Sequence, residues 1–573
     1  MQRNQENQGG PAQNVSGTLA YPTLLAFLQD VPTSFQTNVT VTEIGYRQWE
    51  AAWYVQDEIK VKPNLTMNLG LRDEMTNGWN AILGRCANLL FDKNAVVLPD
   101  LLIGNNCLSE NNAKRLFQPR VGLAWDPTGT GTWAVRAGFG IYNNLQDNQA
   151  FRLGSNPPFN SRLVLLGPAL PQIPLNPNTP LPATCNPQLA AAKAPCSIYA
   201  EGGVDPNMHT PTVQQWSLAV ERKLTRDLAV QLSYVGSEGY HMLVPGNNNS
   251  PYPQVCNSPA GCLSGGVGRP VVTVPQGTTY NAPTGNTCYS GNPTGAPIAC
   301  YPNPFVNKLS EQMFDATTSY NAFNFSLVKR AARGLTFKTN YTFAKAFDYN
   351  SANSSNGATN QTKSILSVYN LGLSKGITAF NLRHQFNANF GYQLPFGAGQ
   401  HFGGSASRWV DTLIGGWQWN GIFAAQSGFP LTPQIGANVS GTGDTDNPDV
   451  PNHNTAFSGP VILGTDGFKK NGHYYNPTAF SMPLSGTFGN VQRGSLTGPR
   501  LISFDTSLFK KFDINERFSL QFLAEAFNLF NHANFGEPNA VIFQGSGYSS
   551  SAGVITNTAT SSRQIQFALK LIF

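Results

Sequence analysis

Again and again along this chain, every second residue is apolar. In "NLRHQFNANFGYQL", 381–394, Leu382, His384, Phe386, Ala388, Phe390, Tyr392 and Leu394 share one face, and Arg383, Gln385, Asn387, Asn389 and Gln393 share the other. In "GLTFKTNYTFAKAF", 334–347, Leu335, Phe337, Tyr341, Phe343 and Phe347 oppose Lys338, Asn340 and Thr342. The last stretch, "RQIQFALKLIF", ends the chain on Phe573 with the same pattern. Side chains alternate across a strand, so each stretch makes one oily face and one hydrophilic face. Thirteen such segments occur, at 49–60, 65–74, 119–126, 133–142, 214–224, 227–236, 322–330, 335–347, 381–394, 414–426, 501–511, 516–528 and 563–573. Their lengths centre on the ~9–11 residues that a tilted strand needs to cross a bilayer.

The connections alternate as well. Those at 61–64, 127–132, 225–226, 331–334 and 512–515 are short, with 395–413 a longer exception; those at 75–118, 143–213, 237–321, 348–380, 427–500 and 529–562 are long. A compact soluble domain rarely carries many loops beyond ~12–15 residues. Outer-membrane barrels have short periplasmic turns and long outer loops. The expected fold is therefore all-β: a transmembrane antiparallel up-and-down barrel with long extracellular loops. Following the alternation, the last strand runs inward and sets Phe573 at the periplasmic interface. Trp49, Trp53, Trp125, Trp133, Trp216, Tyr234, Tyr392, Trp417 and Trp419 stand where an aromatic girdle belongs. A secreted sandwich or solenoid is the bland alternative, but it does not explain the short–long rhythm. If the oily faces of 335–347, 382–394 and 565–573 were covered by a second sheet or by helices, the membrane reading would fall.

Composition agrees. Charged residues are 12% of the chain, against about 25% in ordinary soluble domains. No apolar run approaches the ~18 residues of a membrane-spanning helix. The opening "MQRNQENQGGPAQ" has no apolar core of the kind an export signal needs. A net charge of +6 without a dense basic run argues against a nucleic-acid partner. The eight cysteines, Cys86, Cys107, Cys185, Cys196, Cys256, Cys262, Cys288 and Cys300, all fall in long connections. Their even number suggests extracellular disulfides of open connectivity, and the lack of tight Cys-x-x-Cys pairs argues against zinc.

The stretches "YVQDEIKVKPNLTMNLGLRDE" (54–74), "FQPRVGLAWDPTGTGTWAVRAGFGIYNN" (117–144), "QQWSLAVERKL" (214–224), "LSYVGSEGYHM" (232–242), "NLRHQFNANFGYQLPFG" (381–397) and "FLAEAFNLFNHANFGEPN" (522–539) resemble the barrel of Oar-like TonB-dependent receptors. The resemblance runs from about residue 20 to the end, with Asp73 and Asn381 as minor departures. It implies a barrel of about twenty-two strands, a plug domain, coupling to the TonB system, and a C-terminal aromatic, here Phe573, read by the outer-membrane assembly machinery. By this reading 49–573 is the C-terminal part of such a barrel, lacking the plug, and 1–48 is a polar segment belonging partly to an outer loop, with a short helix at 24–35. The expected partners are outer-membrane lipid, the assembly machinery, the missing plug and strands, and an unknown extracellular ligand. Thirteen strands is an odd number, and closing neighbours must be antiparallel; a fourteenth at "TNVTVTEIGY" (37–46) would restore parity, but the preferred reading is a chain begun inside an outer loop.

No phosphate-binding loop, nucleophile elbow or zinc-protease motif is present, and no paired carboxylates stand out. The reading is of a non-enzyme without cofactor. Lys338, Asn340, Arg383, Gln385, Asn387 and Asn389 are the candidates to face the lumen. Asp444, Asp446 and Asp449 in "GTGDTDNPD" form a weak calcium candidate, lacking the glycine and distal glutamate of an EF-hand loop; turn chemistry is the plainer explanation. Function is expected to be ligand uptake across the outer membrane of a Gram-negative cell, with surface adhesion as the alternative.

Overall fold

In the computed structural model, residues 1–8, 17–38, 42–78, 80–92, 97–145, 153, 156, 159–160, 162–166, 196–199, 203–266, 269–283, 311–332, 334–351, 365–443 and 449–573 are described. Fourteen strands make one continuous antiparallel ladder. They are β1 (Gln2–Gln8), β2 (Ile44–Lys62), β3 (Leu65–Thr76), β4 (Leu116–Trp125), β5 (Trp133–Asn143), β6 (Thr212–Lys223) and β7 (Leu228–Gly246). The ladder goes on through β8 (Glu311–Ala332), β9 (Leu335–Asp348), β10 (His384–Gln393), β11 (Trp417–Gln426), β12 (Leu501–Asp513), β13 (Ser519–Phe527) and β14 (Gln564–Ile572). Each strand pairs with the next in sequence.

All thirteen expected segments are strands, and a fourteenth joins the ladder at an unexpected place. The fourteenth strand is β1, from the segment expected to be loop, and not 37–46. Ile44 already opens β2, while Ser34–Asn38 joins a small separate sheet. The sequence "QRNQENQ" has no apolar face to betray a strand, and it needs none. It pairs with 44–50, at the end of β2 where the long connections leave the sheet. The short helix α1 (Leu24–Leu28) lies within the stretch expected to hold it, capped by Thr23 Oγ1, which accepts from the Ala26 N–H at 3.0 Å.

The oily faces are uncovered. On β14, Ile565, Phe567, Leu569 and Leu571 are 59%, 72%, 67% and 51% exposed, and Phe343 on β9 is 41% exposed. Nothing among the described residues packs over them as a core would. A soluble protein does not leave aligned Ile, Phe and Leu side chains open over a whole sheet face; a bilayer requires it. Short turns close one end. The two-residue link between β8 and β9 needs Gly334 at φ +76°, where other residues are strained. The turns before β3 and β5 brace each other, because Asn64 Nδ2 donates to the Asp126 carbonyl and the Asp126 N–H to the Asn64 carbonyl.

At the other end the long connections form packed bodies. The larger joins 427–500 to 528–563 around Leu431, Ile435, Tyr475, Phe480, Ile542 and Phe543. A second core gathers Ile44, Tyr46, Cys86, Cys107, Val204 and Phe314. Disulfides Cys86–Cys107 and Cys256–Cys262 staple this side. Cys185, Cys288 and Cys300 lie outside the described residues, and so does the side chain of Cys196.

Candidate functional site: the polar wall and the loop cavity above it

The hydrophilic faces of neighbouring strands come into register as a wall. Asn324 on β8 stands opposite Thr342 on β9, which stands opposite Gln385 on β10; one step along, Ser326, Asn340 and Asn387 align. Thr342 Oγ1 donates to Asn324 Oδ1 at 2.8 Å, and Ser326 Oγ donates to Asn340 Oδ1 at 2.9 Å. Lys338 and Asn389 form the next cross-strand pair. Ion pairs Arg72–Glu74 (2.5 Å) and Arg136–Glu221 (3.3 Å) lie on the same face of β3, β5 and β6. A wall of amides, hydroxyls and paired charges is what water wets and hydrocarbon does not.

Across β3 to β5 this wall is recessed. Gly70, Gly122, Gly138 and Gly140 line a hollow of about 420 Å³. With no side chains there, Arg120 lies over the Tyr142 ring, 4.6 Å from its centre. Sequence reading passed over this hollow; the signal was alternate glycines in "NLGLR", "RVGLAW" and "RAGFGIY".

Beyond the membrane band, a cavity of about 620 Å³ opens among the loops, lined by Trp49, Asn77, Asn106, Asn112, Lys114 and His209 among others. Its amides are fixed from behind. Asn77 Oδ1 accepts from the Trp49 N–H at 2.9 Å, and Asn112 Oδ1 accepts from the Thr210 N–H and hydroxyl, both at 2.8 Å. The Cys86–Cys107 disulfide holds the loop that carries Asn106. Size and rigidity suit a small-molecule or oligomer site, since such pockets measure roughly 300–1,000 Å³. Trp49, expected in the girdle, serves this cavity. Its His209 stacks on His241 at 4.9 Å. Nearby, burial raises the Asp205 carboxyl, and burial first, then Asp205 and Asp315, raises the Glu311 carboxyl well above the usual range.

A family model, the outer membrane beta barrel domain, matches residues 1–566. The chain belongs to this outer-membrane β-barrel family. Its location is accordingly the outer membrane, and its uncovered faces are lipid-facing. Similar solved structures include the outer membrane transporter YddB from Escherichia coli, at 10% identity over 92% of this chain and 55% of that one, TM-score 0.41. Others are the pyoverdine receptor FpvA from Pseudomonas aeruginosa PAO1 bound to pyoverdine (10% identity, 93% and 43% covered, TM-score 0.37) and the ferric enterobactin receptor PfeA from P. aeruginosa (11%, 94% and 53%, TM-score 0.37). The chain spans about half the length of these receptors. No curated protein sequence matches it.

Within this outer-membrane barrel, five of the six lumen candidates, Lys338, Asn340, Gln385, Asn387 and Asn389, sit on the polar wall. Arg383 lies just before β10 and its carbonyl accepts from the Ala344 N–H. His384, on the oily face, meets the Tyr341 hydroxyl at 2.8 Å through Nδ1. Phe573 is fully open at the short-turn end. Asp444 and Asp446 lie outside the described residues. Asp449 is turned into its own loop: its carboxylate accepts from the Ser440 N–H at 2.5 Å and the Ser440 hydroxyl at 2.9 Å, and burial pushes it up to about 6. Among the described residues no three metal-binding side chains converge.

Proposed function

We propose that this chain is the barrel portion of a TonB-dependent receptor that binds a ligand with its outer loops and passes it inward along the polar wall. The observation that carries the reading is a polar strand face, continuous across neighbouring strands, in a barrel whose long connections hold a formed, amide-lined cavity. The plug and TonB-contacting segment of such receptors are partners in this proposal, with residues 49–573 as barrel wall and ligand choice residing in the loops. The cavity alone would serve adhesion equally well. The continuous polar wall favours passage.

The test is accumulation in cells producing the complete receptor, with and without a working TonB system. Labelled ferric siderophores, oligosaccharides and short peptides are the probes. Energy-dependent entry of one of them into the periplasm is expected. Binding at the surface with no entry for any probe would favour adhesion and overturn uptake.

A further inference from the structure

The long turn at 394–416 carries a feature that neither the barrel nor ligand uptake requires. It holds helix α2 (Arg408–Ile414). The spacing of its residues sorts them cleanly: Trp409, Val410, Leu413 and Ile414 occupy one arc, and Arg408, Asp411 and Thr412 the other. The apolar arc is open. Trp409 is 84% and Leu413 70% exposed, with Val410 and Ile414 partly open beside them. Phe396 and Phe402, from the same turn, are also exposed and pair at 5.5 Å.

What fixes the helix is its anchorage to the lipid-facing side of the sheet. Trp417 and Lys510 are register partners on the oily face of β11 and β12. Trp417 Nε1 donates to the Leu413 carbonyl at 2.9 Å, and Lys510 Nζ donates to the Thr412 carbonyl at 2.5 Å. Lys510 also lies over the rings of Trp417 (5.3 Å) and Phe512 (4.8 Å). The polar arc is tied back to the turn, where Asp411 Oδ1 accepts from the Ala398 N–H at 2.6 Å. The helix thus sits outside the sheet, at the short-turn end, with its polar arc engaged and its apolar arc free.

We infer that α2 is an interfacial anchor, which lays Trp409, Val410, Leu413 and Ile414 into the phospholipid leaflet on the short-turn side. The occupant follows from continuity. The oily strand face below Trp417 and Trp419 already meets hydrocarbon, and α2 extends that surface at the depth where indole rings collect. Amphipathic helices bury their apolar arc roughly 5–10 Å into the headgroup–acyl boundary. Lys510, with its stem among apolar rings and its ammonium on a helix carbonyl, gives the junction a satisfied cation where a bare one would be costly. A periplasmic protein docking on the same arc is the competing occupant.

The inference rests on the membrane reading, and the test separates the two. The photoreactive residue p-benzoylphenylalanine is placed singly at 409, 413, 405 and 567 of the full chain in living cells. Migration of the unboiled protein on a gel confirms that each variant is folded. Lipid adducts at 409 and 413, at least ~5-fold above the exposed position 405, are expected for an interfacial helix. Lipid adducts at 567 with none at 409 or 413, or capture of a protein at 409 and 413, overturn the anchor alone. No lipid adduct at 567 overturns the membrane reading itself.

Discussion

In β14, side chains that would build a core in a soluble protein stand open: Phe567 and Leu569 are each about two-thirds exposed or more. A short distance along the chain, in the body formed by 427–500 and 528–563, Tyr475, Phe480 and Ile542 are completely sealed. One polypeptide thus uses hydrophobic residues in opposite senses. In the strands the apolar side faces the solvent, because that solvent is hydrocarbon and the backbone's hydrogen bonds are satisfied within the sheet. In the loop bodies the apolar side turns inward, because the surroundings are water. The same kind of substitution should therefore have different consequences in the two regions.

The largest effect is expected in the loop body. Arg493 is 3% exposed; its guanidinium pairs with the Asp348 carboxylate and donates to the Ser374 carbonyl (2.9 Å) and Ser351 Oγ (3.0 Å). Replacing one partner of a buried pair costs about 3–5 kcal/mol, since the other charge is left uncompensated. Arg493→Met should release the loop body from the end of β9, read as fast proteolysis within 427–500 while the strands stay protected. Cleavage of loop body and strands together would erase the distinction between them.

Next comes the lipid face. Leu569→Arg should cost about 2–4 kcal/mol, as arginine does near the bilayer midplane, measured by urea unfolding in lipid vesicles. Gln566→Arg, one face over, should change stability by less than about 0.5 kcal/mol. It keeps a polar partner for Glu525, to which Gln566 Nε2 now donates. Equal costs on both faces would contradict the two-sided assignment.

Smaller is the pH dependence of the loop body. Asp449 ionises at about 6 there because burial disfavours its charge, against about 3.9 in an unfolded chain. A raised carboxyl lends stability below the unfolded value and loses it as pH rises through the folded one. Amide protection across 434–450 should fall between pH 4 and pH 7, by at most about 3 kcal/mol in opening free energy. Asp449→Asn keeps one acceptor oxygen for the Ser440 N–H and offers its amide N–H to the Ser440 hydroxyl, and should flatten that slope. A slope unchanged in the variant would place the titrating group elsewhere, Glu311 first.

The smallest concerns the interface. Trp53 Nε1 donates to Asp73 at 3.1 Å and its ring meets Phe117 edge-on at 6.4 Å. Trp53→Phe keeps a ring and loses the hydrogen bond, so a loss of about 1 kcal/mol is expected, read in the same unfolding assay.

The two regions were also unequally legible in the sequence. Strands crossing lipid must alternate, so 335–347 and 381–394 declared both position and facing. Their cross-strand partners, such as Asn340 with Asn387, are set by the register of the sheet, which alternation within one strand does not reveal. β1 was missed because it pairs beyond the bilayer, where "QRNQENQ" is under no demand for an oily face. The loop body was missed for a different reason. Its core draws Leu431, Tyr475, Phe480 and Ile542 from separate irregular stretches, and contacts between distant segments leave no period along the chain. The glycine-floored hollow left only a faint mark, four residues whose lack of a side chain matters once their strands are side by side.

The central claim is that alternate residues of one strand meet hydrocarbon and water. Spin labels placed singly along 384–393 in vesicles measure it directly, through collisions with oxygen, which favours lipid, and with a nickel chelate, which favours water. The account predicts a two-residue period, with oxygen high at 386, 388 and 390 and nickel high at 385, 387 and 389. Two faces shielded alike, or an alternation of opposite phase, would contradict it.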